Sequence, residues 1–181
     1  MYGKSLMPDG KTANRFKGIV RLDQVSAEQL KAFDCGKTVL NNWLVTRARA
    51  NDVSGGSRTY LLLTSDDRVA GYFCLSNYAL VHEEVKASVR RNMPNPIPAT
   101  LLDRLAVSSD MQGQGIGSSL LRYAVSLAVK VAEFTNSAVL VTEPIDEGAF
   151  NFYRRFGFEA IKIGASMLML RLNAVRGMIG H

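Results

Sequence analysis

One stretch limits what this chain can fold into more than any other: Leu105-Ala106-Val107-Ser108-Ser109-Asp110-Met111-Gln112-Gly113-Gln114-Gly115-Ile116-Gly117-Ser118-Ser119-Leu120-Leu121. It is an apolar strand, a short polar turn and a run of glycines that opens a helix. Such a turn aims the first backbone N–H groups, and the positive end of the helix, at one place. Glycines without a Cβ let an anionic group approach that backbone closely. The pattern is an anion cradle suited to a pyrophosphate, although a glycine string alone also fits a tight strand-to-helix turn that holds nothing. Two other phosphate motifs are excluded. No Lys-Ser/Thr follows the glycines, as a P-loop requires, and no acidic residue closes a second strand about 20 residues on, as a dinucleotide fold requires.

The rest of the chain arranges itself around that stretch. Ile19-Val20-Arg21-Leu22 begins a first strand, and Val39, Leu40, Trp43 and Leu44 recur at helical spacing, predicting one amphipathic helix that ends before Ser54-Gly55-Gly56. Residues 58–64 and 69–76, joined by the polar turn Ser65-Asp66-Asp67-Arg68, read as a hairpin. Residues 81–91 have weak helical character, and the prolines 94, 96 and 98 stop any helix before a buried strand over 101–107. A long helix over 118–134 presents Leu120, Leu121, Ala124, Leu127, Ala128 and Val131 on one face. A strand over 138–142, a helix over 146–156 and closing strands over 158–161 and 167–172 complete the order. This is an α+β chain, a mixed sheet with helices on both faces.

With 181 residues, 47% of them hydrophobic, one globular domain is expected over residues 17–173, with a mobile basic tail over 1–16 and a C-terminal tail over 174–181. No apolar run is long enough for a membrane span or resembles a secretory signal, so a soluble, cytoplasmic protein is expected. Cys35 and Cys74 show no ligand or disulfide spacing; no metal is expected, and both read as small buried side chains. Lys and Arg exceed Asp and Glu by 22 to 16, a net charge of +6, which favours a polyanionic partner without naming it. His82 and His181 read as solvated surface groups.

Gln112, Gly115 and Gly117 form Gln-x-x-Gly-x-Gly after Leu105-Ala106-Val107, and downstream stands Ala149-Phe150-Asn151-Phe152-Tyr153-Arg154-Arg155-Phe156-Gly157-Phe158. Together, in that order, these motifs resemble the GNAT superfamily of acetyl-CoA-dependent N-acetyltransferases, over residues 19–172. The resemblance implies a central six- to seven-stranded sheet in which two parallel strands, here 101–107 and 138–142, splay apart around acetyl-CoA as co-substrate. The pantetheine would pair with backbone at Leu105, Ala106 and Val107, and the pyrophosphate would sit on the amides of Gln112, Gly113, Gln114, Gly115, Ile116, Gly117 and Ser118. Tyr153 matches the family's tyrosine that gives a proton to the departing thiolate. A core aromatic would look the same in this context. Asp146 stands where many relatives carry an Asn that contacts the cofactor, which leaves that contact open.

A narrower resemblance rests on Phe33-Asp34-Cys35-Gly36, Leu40-Asn41-Asn42-Trp43-Leu44, Ser57-Arg58-Thr59-Tyr60 and residues 97–107, which look like the GNAT toxins of bacterial toxin–antitoxin pairs. Asp103 departs from the glycine common there. The resemblance implies acetylation of the α-amino group of aminoacyl-tRNA, arrest of translation and a ribbon-helix-helix antitoxin as partner, and it leaves room for a homodimer. Phosphate contacts to tRNA would come from Arg47, Arg49, Lys86, Arg90, Arg91 and Arg104, each of which could equally be a solvated surface charge. Chemistry agrees with this substrate. An α-amino group (pKa about 7.7–8.0) is substantially neutral at cellular pH, whereas a lysine (about 10.4) needs a base; Glu143, ending a strand near the expected thioester, is the one carboxylate to consider for that role, and a carboxylate that only hydrogen-bonds backbone at a strand end would look the same. Two other readings stay open: a GNAT acting on a small amine or a protein N-terminus, and a non-catalytic acyl-CoA- or partner-binding module.

Overall fold

A computed structural model describes residues 15–179. Seven strands make one sheet in the order β1 (Phe16–Arg21), β2 (Arg58–Thr64), β3 (Val69–Leu80), β4 (Ile97–Val107), β5 (Val139–Thr142), β7 (Leu168–Arg171), β6 (Glu159–Ala160). The pair β4–β5 is parallel, with Ala99 opposite Val139 and Leu101 opposite Val141, where the ladder ends. The pairs β1–β2, β2–β3, β5–β7 and β6–β7 are antiparallel. The mixed sheet and its parallel pair agree with the expectation from sequence. The chain packs as two compact units, one of the described residues up to Leu75 with Arg104–Ala124, the other of Ser76–Asp103 with the residues from Val125 on. It passes between them three times, inside β3, β4 and the helix α5 (Ile116–Thr135).

In the first unit, α1 (Ala27–Lys31) was not foreseen, yet its signal is local. Ser26 Oγ accepts from the Gln29 amide at 3.2 Å and Gln29 Oε1 accepts from the Ser26 amide at 2.7 Å, a capping box legible as Ser-x-x-Gln. The single helix expected after Thr38 is two, α2 (Thr38–Thr46) and α3 (Ala48–Ser54), broken at Arg47. Val45 and Thr46 are adjacent β-branched residues, and Thr46 Oγ1 donates back to the Asn42 carbonyl at 2.7 Å, a bond that bends helices. The break lets Trp43 and Leu44 from α2 and Ala48 from α3 all enter one core with Leu22, Leu30, Phe33, Leu61, Tyr72 and Ala106. Gly71 permits the closest approach in this unit: a Cβ there would lie 2.7 Å from the Ala106 carbonyl and 2.8 Å from a Leu120 methyl.

The second unit holds its own core, with Leu80, Val85, Val89, Ile97, Ala99, Val139, Val141, Ile161 and Met169. β4 starts at Ile97, four residues before the strand expected from sequence. Ile97 and Ala99 face inward in strand alternation, and Pro98 costs no ladder bond on the side where its carbonyl accepts from Ala138. Residues 81–91 hold a one-turn 3-10 helix (His82–Glu84) and α4 (Ala87–Arg90). Val131, expected on the buried face of α5, is 39% exposed. The closing elements are α6 (Glu147–Arg155) and α7 (Leu172–Ile179), the latter taking in the start of the expected C-terminal tail. Residues 1–14 of the expected N-terminal tail, and His181, lie outside the described residues.

Candidate functional site

Backbone geometry accounts for the glycines of the loop. Gly113 (φ 73°) and Gly115 (φ 80°) occupy the left-handed region, and a Cβ built at either would meet no atom within 4 Å. Among the described residues no packing demands glycine at these two positions; the chain's turn does, and no described atom fills the space a Cβ would enter. The first bond of the α5 ladder runs from the Ser119 amide to the Gly115 carbonyl at 3.1 Å. The amides of Ile116, Gly117 and Ser118 therefore have no carbonyl one turn back, as in the first turn of any helix. Unpartnered amides, open space and the positive end of a twenty-residue helix fit a pyrophosphate.

The loop is pinned from both sides. Gln112 Nε2 donates to the carbonyls of Cys35 and Val107, each at 3.0 Å, so its side-chain amide nitrogen acts as a brace and the donor it leaves for a ligand is its backbone N–H. The Ser109 amide donates to the Asp34 carbonyl at 2.8 Å, and Asp34 in turn accepts from the Gly36 amide (2.8 Å) and from Asn41 Nδ2 (2.7 Å). These bonds hold the Asp34 carboxyl below its ordinary pKa, with the Gly36 amide the larger cause. The motif Phe33-Asp34-Cys35-Gly36 with Asn41 thus builds the floor of the glycine loop. Asp110 is gripped by both terminal nitrogens of Arg68 at 3.1 and 3.2 Å. Along β4, Ala106 is buried while Leu105 and Val107 are half-buried.

Tyr153 sits on α6, whose start is capped by Asp146: its carboxylate accepts from the Ala149 amide at 2.8 Å. That bond explains the acid where relatives carry Asn, since either residue caps a helix. Tyr153 is 5% exposed, packed between Phe152 and Phe158 at ring distances of 5.2 and 5.3 Å. Burial pushes its phenol up to about 12, against a smaller downward pull from the Thr142 hydroxyl, whose own proton goes to the Leu102 carbonyl at 2.9 Å. Glu143 is exposed and accepts from Ser166 Oγ at 3.2 Å. His82 is half-buried rather than solvated, with Nε2 3.2 Å from the Met93 carbonyl and 2.9 Å from that of Pro94.

The six cations proposed for nucleic acid are divided between the two units. Arg47, Arg49 and Arg104 belong to the first unit, Lys86, Arg90 and Arg91 to the second. Arg104 is half-buried with its guanidinium 4.3 Å from the Trp43 ring centre, and burial lowers its pKa. Arg49 donates to the Val25 carbonyl. Lys86 pairs with Glu159 at 3.3 Å, Arg90 donates to the His82 carbonyl at 3.4 Å, and Arg47 and Arg91 are exposed. Among the described residues no cluster of His, Cys, Asp or Glu is built to hold a metal, and no helix is long and apolar enough to cross a membrane.

Residues 23–158 match the model of the Acetyltransferase (GNAT) family. The chain is 37% identical to the tRNA-acetylating toxin of Mycobacterium tuberculosis over 85% of its own length and 92% of the toxin's. It is also similar to a solved structure of AtaT complexed with acetyl-methionyl-tRNAfMet, with a TM-score of 0.79 and 25% identity, covering 88% of this chain and 97% of that one. AtaTR bound with AcCoA gives a TM-score of 0.75 at 25% identity, over 91% of this chain and 98% of that one.

Proposed function

Because the chain belongs to the acetyltransferase (GNAT) family, we propose that it is an acetyl-CoA-dependent N-acetyltransferase acting on the α-amino group of aminoacyl-tRNA, a toxin that blocks translation in the cytoplasm. The observation that carries this reading is the match along nearly the whole length of the mycobacterial tRNA-acetylating toxin. AtaT, whose substrate-bound structure this chain resembles, supports the same acceptor class. An antitoxin, of the ribbon-helix-helix kind, is the partner that goes with it.

Acetyl-CoA, when bound, supplies an acetyl group activated as a thioester. The residues of this chain do the rest. The amides of Gly113, Gln114, Gly115, Ile116, Gly117 and Ser118, with that of Gln112, hold the pyrophosphate, and the brace from Gln112 to Cys35 and Val107 keeps them in place. Backbone groups of Leu105, Ala106 and Val107 take the pantetheine as an added strand. Tyr153 presents its phenol proton to the sulfur as negative charge develops there. No side-chain base is required to generate the nucleophile, because a sizeable fraction of the α-amino group (pKa about 7.7–8.0) is already neutral at cellular pH. Asp146 orders α6 and through it Tyr153.

The test is to incubate the protein with acetyl-labelled acetyl-CoA and total charged tRNA, then digest the RNA and identify the labelled aminoacyl group. Label on one or a few N-acetyl-aminoacyl adenosines is the expected result. Label confined to free amines or protein would instead assign the enzyme to another acceptor.

A further inference from the structure

Almost every polar side chain around the glycine loop is spent on a neighbour. Gln112 is bonded to two carbonyls, the loop's own acid Asp110 is held by Arg68 and by Ser108 (2.7 Å), and nearby Lys17 is paired with Asp67 at 2.6 Å. Arg15 differs. Its guanidinium donates to Gln114 Oε1 at 3.0 Å, a neutral acceptor, and it makes no ion pair among the described residues. Gln114 is itself oriented, because its Nε2 donates to the Asp110 carbonyl at 3.2 Å. The Arg15 backbone is held too, its carbonyl accepting from the Ser65 amide at 2.8 Å. A positive charge that no carboxylate of the described residues offsets is therefore held beside the residue that lies between Gly113 and Gly115, the two left-handed positions with no described atom near a built Cβ.

We infer that Arg15 is a phosphate-binding residue of the cofactor site, its guanidinium, oriented by Gln114, supplying a cation to the pyrophosphate carried by the loop amides. The inference rests on the acetyl-CoA reading of that loop and adds a residue outside both the glycine motif and the stretch that the family model matches. A guanidinium has five N–H donors in a planar fork and pairs with phosphate through two of them at once. Gln114 takes one donor and carries no charge, so it orients the cation without cancelling it.

Calorimetric titration of the full chain with acetyl-CoA and with its 3'-dephospho form tests this, using wild type, Arg15→Ala and Arg15→Lys. Arg15→Ala should raise the Kd of both ligands about threefold to tenfold at low salt, a difference that shrinks as salt rises, and Arg15→Lys, which keeps the charge but not the planar fork, should recover part of the loss. An unchanged Kd in folded Arg15→Ala overturns the inference. So does a loss that salt does not alter and lysine does not rescue, which would make Arg15 a brace for Gln114 alone, and so does a loss confined to the 3'-phosphorylated ligand. A wild-type chain that binds neither ligand would instead refute the acetyl-CoA reading itself, a result distinct from all of these.

Discussion

Tyr153, the proposed proton donor, is buried, and burial itself defines what it can do. A phenol pushed up to about 12 stays protonated across the whole neutral range. A thiol near its ordinary pKa of about 8.5 is the weaker base, so the phenol works by sharing its proton with developing charge rather than by surrendering it at equilibrium. Tyr153→Phe keeps the ring contacts with Phe152 and Phe158 and removes only the hydroxyl. Single-turnover acetyl transfer at saturating substrate should fall at least about a hundredfold, with KM for acetyl-CoA little changed. Were Tyr153 only a core aromatic, the rate would survive and a thermal melt would show the loss of a buried hydrogen bond, about 1 kcal/mol. The pH profile follows from the same shift. Rate should rise as the acceptor amine loses its proton through about 7.7–8.0 and then stay level, because ionisation of Tyr153, which would lower the rate, is displaced upward to about 12. A falling limb between pH 8 and 9.5 would exclude this role.

At the scale of elements, the glycine loop was the most legible part of the chain, because its requirement is written into consecutive residues: a strand, then glycines, then a helix. Gly115 has a positive φ and open space, so a substitution there tests strain and charge separately. Asn tolerates the left-handed region and adds no charge; Asp has the same shape and adds one. Gly115→Asp should raise the Kd for acetyl-CoA at least about tenfold above that of Gly115→Asn, near 1.4 kcal/mol, and calorimetry that finds the two alike would reject a phosphate at this position. What the sequence hid was non-local or competed with a pattern. The split between α2 and α3 was masked by apolar spacing that continues across Arg47, and prolines at 96 and 98 disguised the true start of β4. The bonds from Gln112 to Cys35 and from Arg15 to Gln114 join residues 77 and 99 positions apart, so no local spacing announces them. The first of these gives another expectation: Gln112→Leu removes two bonds to carbonyls and should weaken acetyl-CoA binding while adding no charge, a loss that higher salt does not deepen.

For the whole molecule, the net charge of +6 gains meaning only through which cations are already committed. Arg21 and Arg58 share Asp52, Arg68 holds Asp110, and Lys86 holds Glu159. Arg90 and Arg91 have no carboxylate partner among the described residues and both are exposed, so neither would have to give up an ion pair to meet a phosphate. Both are therefore open to a phosphate contact. Each phosphate contact releases condensed counterions, lowering the slope of log K against log salt by about 0.7 for single-stranded RNA and about 0.9 for a duplex. Neutralising both, as Arg90→Gln with Arg91→Gln, should therefore flatten that slope for charged tRNA by up to about 1.4 or about 1.8, and weaken all tRNAs alike, because phosphates carry no sequence. Lys86→Gln is the internal control. Its ammonium already has a partner at 3.3 Å, so its removal should change the slope by clearly less than half as much. Filter binding across a salt series decides the matter: a slope that the double variant leaves untouched would remove Arg90 and Arg91 from the tRNA surface, and an equal effect from Lys86→Gln would show that the response follows total charge rather than this arginine pair.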